Sequence, residues 1–260
     1  MQKDFEKFSA ATILEGMTSI RALLTAMTDT AIGNDRRIAR LLFARESESK
    51  LAKELGWLKH RAEEHSFPII PVPCEELTAM AIGNTHGGIL AECTERTIPA
   101  LSETEASIVS RGFYAMLEGI EDPYNFGYAL RSLYAAGIDG VILPERNWMS
   151  AAGVVARASA GASELLPVFR ADALEAAAVF KSYGYRIVCA DVRTETLLPD
   201  ADLQKPILLI VGGEKRGISR ALFNACDLAV KIPYARPFQA SLSAASATTM
   251  LAYEIMRQNR

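Results

Sequence analysis

Three stretches of this chain set chemistry-bearing side chains beside permissive backbone. The first, Val211-Gly212-Gly213-Glu214-Lys215-Arg216-Gly217-Ile218-Ser219, continues the apolar run Ile207–Val211. Glycines there let the backbone approach a ligand closely and leave N–H groups to hold it. A P-loop is the first chemistry to test, and it fails: Gly212 to Gly217 has the spacing, but Ile218 stands where lysine is required. The dinucleotide fingerprint fails too, because its third glycine is absent and the loop lies late in the chain. Alone, this loop reads as readily as a plain turn. The second stretch is Asp122-Pro123-Tyr124-Asn125-Phe126-Gly127-Tyr128-Ala129-Leu130-Arg131. The third runs from Lys231-Ile232-Pro233-Tyr234 through Arg236 and Phe238 to Ser241-Leu242-Ser243. Their aromatics, Tyr124, Tyr128, Tyr234 and Phe238, flank the same loops, where core packing is the commoner use of such residues.

The elements that must position these stretches are legible from the apolar pattern. Strand-like runs at Phe113–Leu117, Gly140–Leu143, Leu166–Phe169, Arg186–Ala190, Ile207–Val211 and Leu228–Ile232 alternate with helical stretches. The helices fall near Gly127–Ala136, Ser150–Ala160, Leu174–Tyr183, Ile218–Ala225 and Ser241–Met256. Such alternation predicts an α/β domain with a mostly parallel sheet covered on both faces, and ligands in such sheets sit beyond the carboxyl ends of the strands. The first half predicts a smaller α/β domain. Apolar residues at three- and four-residue steps give a helix within Phe8–Met27, followed by a strand at Ile38–Phe43 and a helix at Ser49–Glu64. The proline-interleaved segment Phe67–Val72 suits a sheet edge. A short helix at Cys74–Met80, a loop at Gly83–Gly88 and a strand at Ile89–Cys93 complete it. The pattern breaks at Thr97–Ser107, which sets the expected domains at 1–105 and 106–260.

Composition bounds the function. The chain has 260 residues, 50% hydrophobic and 23% charged, enough to bury a sizeable core and too ordinary for a disordered or collagen-like class. No apolar run approaches the roughly 18 residues of a membrane span, and Met1–Glu6 leads into no secretory h-region, so a cytoplasmic protein without membrane contact is expected. A net charge of −3 argues against nonspecific coating of nucleic acid. Residues 1–105 carry 12 Lys+Arg against 16 Asp+Glu, and residues 106–260 carry 16 against 15, so basic character is local. It gathers at Arg36, Arg37 and Arg40 and again at Lys215, Arg216 and Arg220; for the first group taken alone, a solvated helix face is the plainer reading. Cys74, Cys93, Cys189 and Cys226 form no CxxC pair and sit among apolar residues, which predicts buried, reduced thiols, with no zinc site and no disulfide framework.

Taken in order and spacing, the three stretches resemble the SpoU/TrmH family of RNA ribose methyltransferases, within the SPOUT superfamily. Asn125, Gly127 and Arg131, followed by Ala135-Ala136-Gly137, match its first motif; Gly212, Gly213, Glu214 and Gly217 match its second; Ile232-Pro233 and Ser241-Leu242 match its third. Arg157-Ala158-Ser159-Ala160-Gly161-Ala162 is similar to the segment between the first two. The resemblance covers roughly residues 107–258, with one departure: Ser243 stands where the family usually has asparagine, which leaves cofactor binding in place and bears on catalysis. The first half is similar to the ribosomal-protein-like substrate-binding domain that many members carry, with His86-Gly87-Gly88-Ile89 where those relatives have a His-containing loop.

This resemblance implies a knotted SPOUT domain that transfers a methyl group from S-adenosylmethionine to a ribose 2′-oxygen of RNA without a metal. Ribosomal RNA is the expected substrate, with transfer RNA a possibility, and a homodimer is the expected assembly. Cofactor contacts would come from Gly212, Gly213, Gly217, Ile232, Pro233 and Leu242. The family credits Arg131 with activating the hydroxyl; because arginine is a poor base, the expected role here is to hold the target phosphate and stabilise the developing oxyanion, while Asn125 would orient it or the ribose, Glu214 would anchor the loop, and Ser241 would contact the reacting nucleotide, with Ser243 beside it. RNA contacts would come from Arg36, Arg37, His86, Lys215, Arg216 and Arg236. Two other readings keep the same fold: a noncatalytic RNA-binding or ribosome-assembly factor, motivated by Ser243, and a methyltransferase acting on a base.

Overall fold

The computed structural model describes residues 12–83, 86–120, 122–214, 217–237 and 239–260. These form two compact units: one comprises the chain through Thr97 together with Met149–Leu165, and the other comprises Ile98–Trp148 with Leu166–Arg260. The boundary expected at 105/106 therefore lies at 97/98. It is also crossed twice more, because the segment 149–165, read from the sequence as part of the second domain, packs with the first.

In the first unit, β1 (Thr12–Glu15) pairs antiparallel with β4 (Ile89–Cys93), β4 antiparallel with β2 (Ile38–Ala44), and β2 parallel with β3 (Ile69–Val72). The proline-bearing β3 is an edge strand, as its composition requires. Helices α1 (Gly16–Thr28) and α2 (Ala52–His65) bury Ile20, Leu23, Leu24, Leu55 and Leu58 against one side of this sheet, while Leu77 of α3 (Cys74–Met80) packs with Leu42, Val72 and Leu90. The continuous helix expected within Phe8–Met27 is corrected here. Residues 8–11 lie outside the described residues, Thr12–Glu15 is a strand, and the helix begins at Gly16, whose φ of 74° makes the turn between them. Ile13 and Leu14 satisfy a helical period, but the hydrogen bonds to β4 decide their conformation.

Across this unit, residues from 149–165 are tied in by charge. Arg36 Nε lies 3.1 Å from Glu164 Oε2, with the two side chains 2% and 0% exposed, and Asn34 Nδ2 donates to the same carboxylate at 3.0 Å. Arg157 Nη1 donates to Glu15 Oε2 at 3.3 Å. Burial lowers the Arg96 pKa to about 10 while its Nη1 donates to the Ser163 carbonyl at 2.8 Å. These contacts are carried by the short helices α6 (Ala152–Ala158) and α7 (Ala162–Leu165).

The second unit holds a six-stranded, all-parallel sheet in the order β10-β8-β9-β5-β6-β7. Its strands are β5 (Phe113–Leu117), β6 (Gly140–Leu143), β7 (Val168–Arg170), β8 (Arg186–Ala190), β9 (Ile207–Val211) and β10 (Leu228–Val230). Strands buried on both faces read as near-continuous apolar runs, which is why their limits agree closely with the sequence. Leu101 of α4 (Leu101–Thr104) and Tyr114 and Met116 of β5 pack with Phe180 of α8 (Ala173–Ser182) and Leu222 of α9 (Arg220–Ala225). The rings of Tyr114, Phe180 and Tyr185 form a cluster with centroids 4.9 to 5.8 Å apart, and burial pushes the Tyr185 phenol up to about 12. Alternation turns Phe113, Ala115 and Leu117, also buried, to the opposite face. A second helical pair consists of α5 (Pro123–Ala135) and α10 (Ala244–Gln258), joined where Ser132 Oγ meets Thr249 Oγ1 at 2.6 Å. Asp122 caps α5 by accepting from Asn125 N at 2.8 Å, with Pro123 in the first turn. Among the thiols, Cys93 and Cys189 are buried and Cys226 half-buried, but Cys74 is exposed at the first turn of α3, which corrects the expectation of burial for it. No helix among the described residues is long and apolar enough to cross a membrane.

Candidate active site

After β5 the chain proceeds outward through β6 and β7, then returns to build β8 and β9 on β5's other side. The direction of winding reverses between β5 and β9, and that is where parallel sheets open a crevice for ligands. The loops leaving those two strands are locked together. Glu118 N donates to Val211 O at 2.9 Å, and Gly213 lies so close to Gly119 that a Cβ on it would stand 2.4 Å from the Gly119 carbonyl oxygen. The loop also closes on itself, with Gly217 N donating to Gly213 O at 2.8 Å and Gly212 packed on the Gly217 backbone. Only glycine fits at 212 and 213.

Glu214 leaves this loop to bridge the helical pair. Its Oε1 accepts from Asn125 Nδ2 at 3.2 Å and from the backbone N–H of Ala244 at 2.9 Å, so one carboxylate oxygen joins α5 to the first turn of α10. A carboxylate at a helix start is also favoured by the helix dipole. Ser243 is the N-cap of α10, its Oγ accepting from Ser246 N at 3.1 Å. Leu242 N donates to the Tyr234 hydroxyl at 3.2 Å, which pins the segment before the cap.

Beside these loops lies a cleft of about 420 Å³. One wall is Val211, Gly212, Gly213, Glu214 and Gly217; another is Val230, Ile232 and Tyr234; Ser241, Leu242, Ala244 and Ala247 form a third. The loop after β8 adds Asp191 and Arg193. Arg193 donates from Nε to Asp191 Oδ1 at 2.8 Å and from Nη2 to Oδ2, and these bonds hold the Asp191 carboxyl below its ordinary range. The volume suits a nucleoside-bearing molecule, and the lining alternates exposed backbone groups with apolar side chains, as small-molecule sites do. Glu118, just past the carboxyl end of β5 and next to Gly119, has Oε2 sealed from solvent without a hydrogen-bond partner among the described residues. Burial and the neighbouring Asp172 raise its pKa. No cluster of three or more metal-ligating side chains occurs among the described residues.

The cleft thus gathers Gly212, Gly213, Gly217, Ile232 and Leu242 with Glu214 and Ser241. Pro233 and Ser243 adjoin lining residues without lining it themselves, and Asn125 reaches it through Glu214. Arg131 is exposed on α5, with no hydrogen bond or ion pair among the described residues. Arg236 is exposed in the loop before Ser241, while Lys215, Arg216 and Phe238 lie outside the described residues. In the first unit Arg37 is exposed and His86 half-buried, its Nδ1 accepting from Gly88 N at 3.1 Å. Arg36 is a correction: buried on Glu164 and donating from Nη1 to the Thr94 carbonyl at 3.0 Å, it holds the fold and is not available to RNA. Asp191 and Arg193 escaped the sequence reading because no motif marks them. Their position one and three residues beyond the apolar run of β8 was the available signal.

Comparison with known proteins agrees with this picture. The SpoU rRNA methylase family pattern matches residues 112–253. An uncharacterised tRNA/rRNA methyltransferase of Mycobacterium ulcerans is 33% identical over 218 residues, covering 83% of this chain and 69% of the relative. Among solved structures, an RNA 2′-O ribose methyltransferase aligns over 99% of this chain and 92% of its own, with 22% identity and a TM-score of 0.73. The SpoU methyltransferase AviRb from Streptomyces viridochromogenes, solved with AdoMet, aligns over 97% and 92%, with 23% identity and a TM-score of 0.75. At those identities the likeness of structure speaks for the fold.

Proposed function

This chain belongs to the SpoU rRNA methylase family, and from that premise we propose that it is an S-adenosylmethionine-dependent RNA methyltransferase acting on a ribose 2′-oxygen, with ribosomal RNA favoured over transfer RNA. The observation that carries this reading is Glu214, which ties Asn125 and the start of α10 to a glycine loop that walls a cleft of cofactor size. When bound, S-adenosylmethionine supplies a methyl group on a sulfonium, so its leaving group is already activated. Gly212, Gly213 and Gly217 would hold the cofactor through backbone groups, with Ile232 and Leu242 against its apolar surface. What remains for the protein is alignment, which can contribute on the order of 7 to 11 kcal/mol to lowering a barrier.

Arg131 carries a guanidinium, a group suited to holding an anion and not to accepting a proton. Its unpaired charge suits the phosphate of the target nucleotide and the oxyanion that develops as the 2′-hydroxyl loses its proton. Asn125, fixed by Glu214 and by the Asp122 cap, orients the ribose or Arg131, and Ser241 at the cleft contacts the reacting nucleotide. Ser243 serves as a helix cap, a position where serine and asparagine are nearly equivalent. That favours catalysis over the noncatalytic reading, because the departure from the family motif falls on a residue whose cap serine can supply.

The rest of the assembly is part of the same proposal. The first unit would bind RNA through Arg37 and His86, and in the second Lys215, Arg216 and Arg236 would contact phosphate. Such a reaction belongs in the cytoplasm. A homodimer through α5 and α10 would cover Tyr128, Met250 and Tyr253, which are 47%, 43% and 57% exposed, and the threading of the cofactor loops would be that of the knotted SPOUT fold. The test is transfer of labelled methyl from S-adenosylmethionine into RNA followed by alkaline hydrolysis. Label in alkali-resistant dinucleotides is expected, label in mononucleotides moves the reaction to a base, and no label from folded, cofactor-binding protein overturns catalysis. Arg131→Ala should lower transfer by about 100-fold while leaving cofactor affinity unchanged.

A further inference from the structure

We propose that Arg193 is the residue of the cleft that recognises the carboxylate on the methionyl end of the cofactor, an inference that rests on the cleft being the S-adenosylmethionine site. Charge complementarity is the first argument. The charged side chains among the described lining residues are Asp191, Glu214 and Arg193, so Arg193 is the cation among them. A carboxylate drawn out of bulk water needs a charged or hydrogen-bonding partner. Glu214 and Asp191 both repel it, and both are already engaged, Glu214 Oε1 by Asn125 and Ala244 and the Asp191 carboxylate by Arg193, which leaves the outer edge of the Arg193 guanidinium as the group that can receive it.

The second argument is preorganisation. Arg193 lies at the mouth of the cleft with its side chain 52% exposed, yet it is held on two sides. Asp191 takes its Nε and Nη2, and also accepts from its backbone N–H at 2.8 Å. The guanidinium carbon stands 4.7 Å from the centre of the Phe223 ring. A long side chain fixed in this way has already lost the rotamer freedom that binding would otherwise cost. Its Nη1 makes no hydrogen bond among the described residues, and the outward N–H groups of Nη1 and Nη2 form the fork that matches a carboxylate. The sequence offers no family motif at this position, and the assignment comes from the geometry of the loop after β8.

The experiment is calorimetric titration of the full chain with S-adenosylhomocysteine, which carries the methionyl carboxylate, and with 5′-methylthioadenosine, which lacks it. The wild-type protein is expected to prefer S-adenosylhomocysteine. Arg193→Ala should weaken it by about tenfold and leave 5′-methylthioadenosine within about twofold, while Arg193→Lys should fall between, keeping the charge and losing the fork. Equal losses for both ligands, or no loss for either, would overturn the assignment. So would a wild-type protein that binds the two ligands alike. If the wild type binds neither compound, the reading of the cleft as the cofactor site falls, a result distinct from the loss of selectivity alone. The melting temperature of each variant, measured without ligand, separates a binding defect from a folding one.

Discussion

Two residues, Glu118 and Ser243, turn burial and capping into measurable quantities. Glu118 has a carboxyl oxygen shut away from solvent without a partner among the described residues, and its folded pKa is raised by burial and by Asp172. For an acid with a raised folded pKa, the native state binds more protons than the unfolded one between the two values, so stability falls as pH rises through that window. Glu118→Gln is therefore expected to raise the melting temperature at pH 7, with the gain vanishing below about pH 4, where wild-type Glu118 is protonated in both states. A gain of equal size at both pH values would refute the electrostatic origin. Ser243 gives the second measurement. Ser243→Ala should cost about 1 kcal/mol of stability by removing the cap on α10, whereas Ser243→Asn should leave stability and methyl transfer close to wild type. Denaturant titration beside the transfer assay reads both. A large rise in transfer with asparagine would show that this position does more than cap.

At the scale of elements, the loop between β9 and α9 is built by exclusion. Gly213→Ala would drive a methyl group into the Gly119 carbonyl, which belongs to backbone that is itself anchored through Glu118 N to Val211 O. Expected are a stability loss of about 1 to 3 kcal/mol, as for other overpacked sites, and loss of cofactor affinity. Gly56→Ala is the control. That glycine lies in α2 with open space around it, and alanine there should be neutral or stabilising by about 0.5 to 1 kcal/mol. Much of this architecture was legible beforehand. The strands of the large sheet announced themselves because burial on both faces leaves no polar interruptions, and the three motif loops follow or precede them directly. Less legible were the ends of helices, which local hydrogen bonds decide: α10 starts after Ser243 because that side chain caps it, not at Ser241, where the apolar pattern begins. Thr12–Glu15 misled for a related reason, since a short strand with two adjacent apolar residues fits a helical period equally well until its partner strand is known.

For the whole molecule, the informative feature is that the first unit is discontinuous in the chain. Its segment 149–165 lies between β6 and β7 of the other sheet, and it is fixed by buried charge. Removing one partner of such a pair typically costs about 3 to 5 kcal/mol, because the remaining charge stays buried, so Glu164→Ala should lower stability by that amount, and Arg36→Met with Glu164→Leu should recover much of it. Chemical denaturation of the single and double variants checks this. A fragment beginning at Ile98 should bind hydrophobic dye and aggregate, since it retains 149–165 without Ile13, Asn34 and Arg36. None of this was visible in the sequence. Arg36 sits in a basic cluster that looks solvated, and its partner is 128 residues away, a separation at which no periodicity or spacing rule operates. The same arrangement bears on how such proteins change by recombination. A single crossover between two divergent genes, anywhere between codons 36 and 164, would bring residue 36 from one parent together with residue 164 from the other, and parents that do not share this pairing would yield chimaeras with a buried, unpaired charge and reduced stability. Exchange of the first half as a cassette is thus disfavoured unless a second, internal patch travels with it, and inheritance of the chain as one piece is favoured.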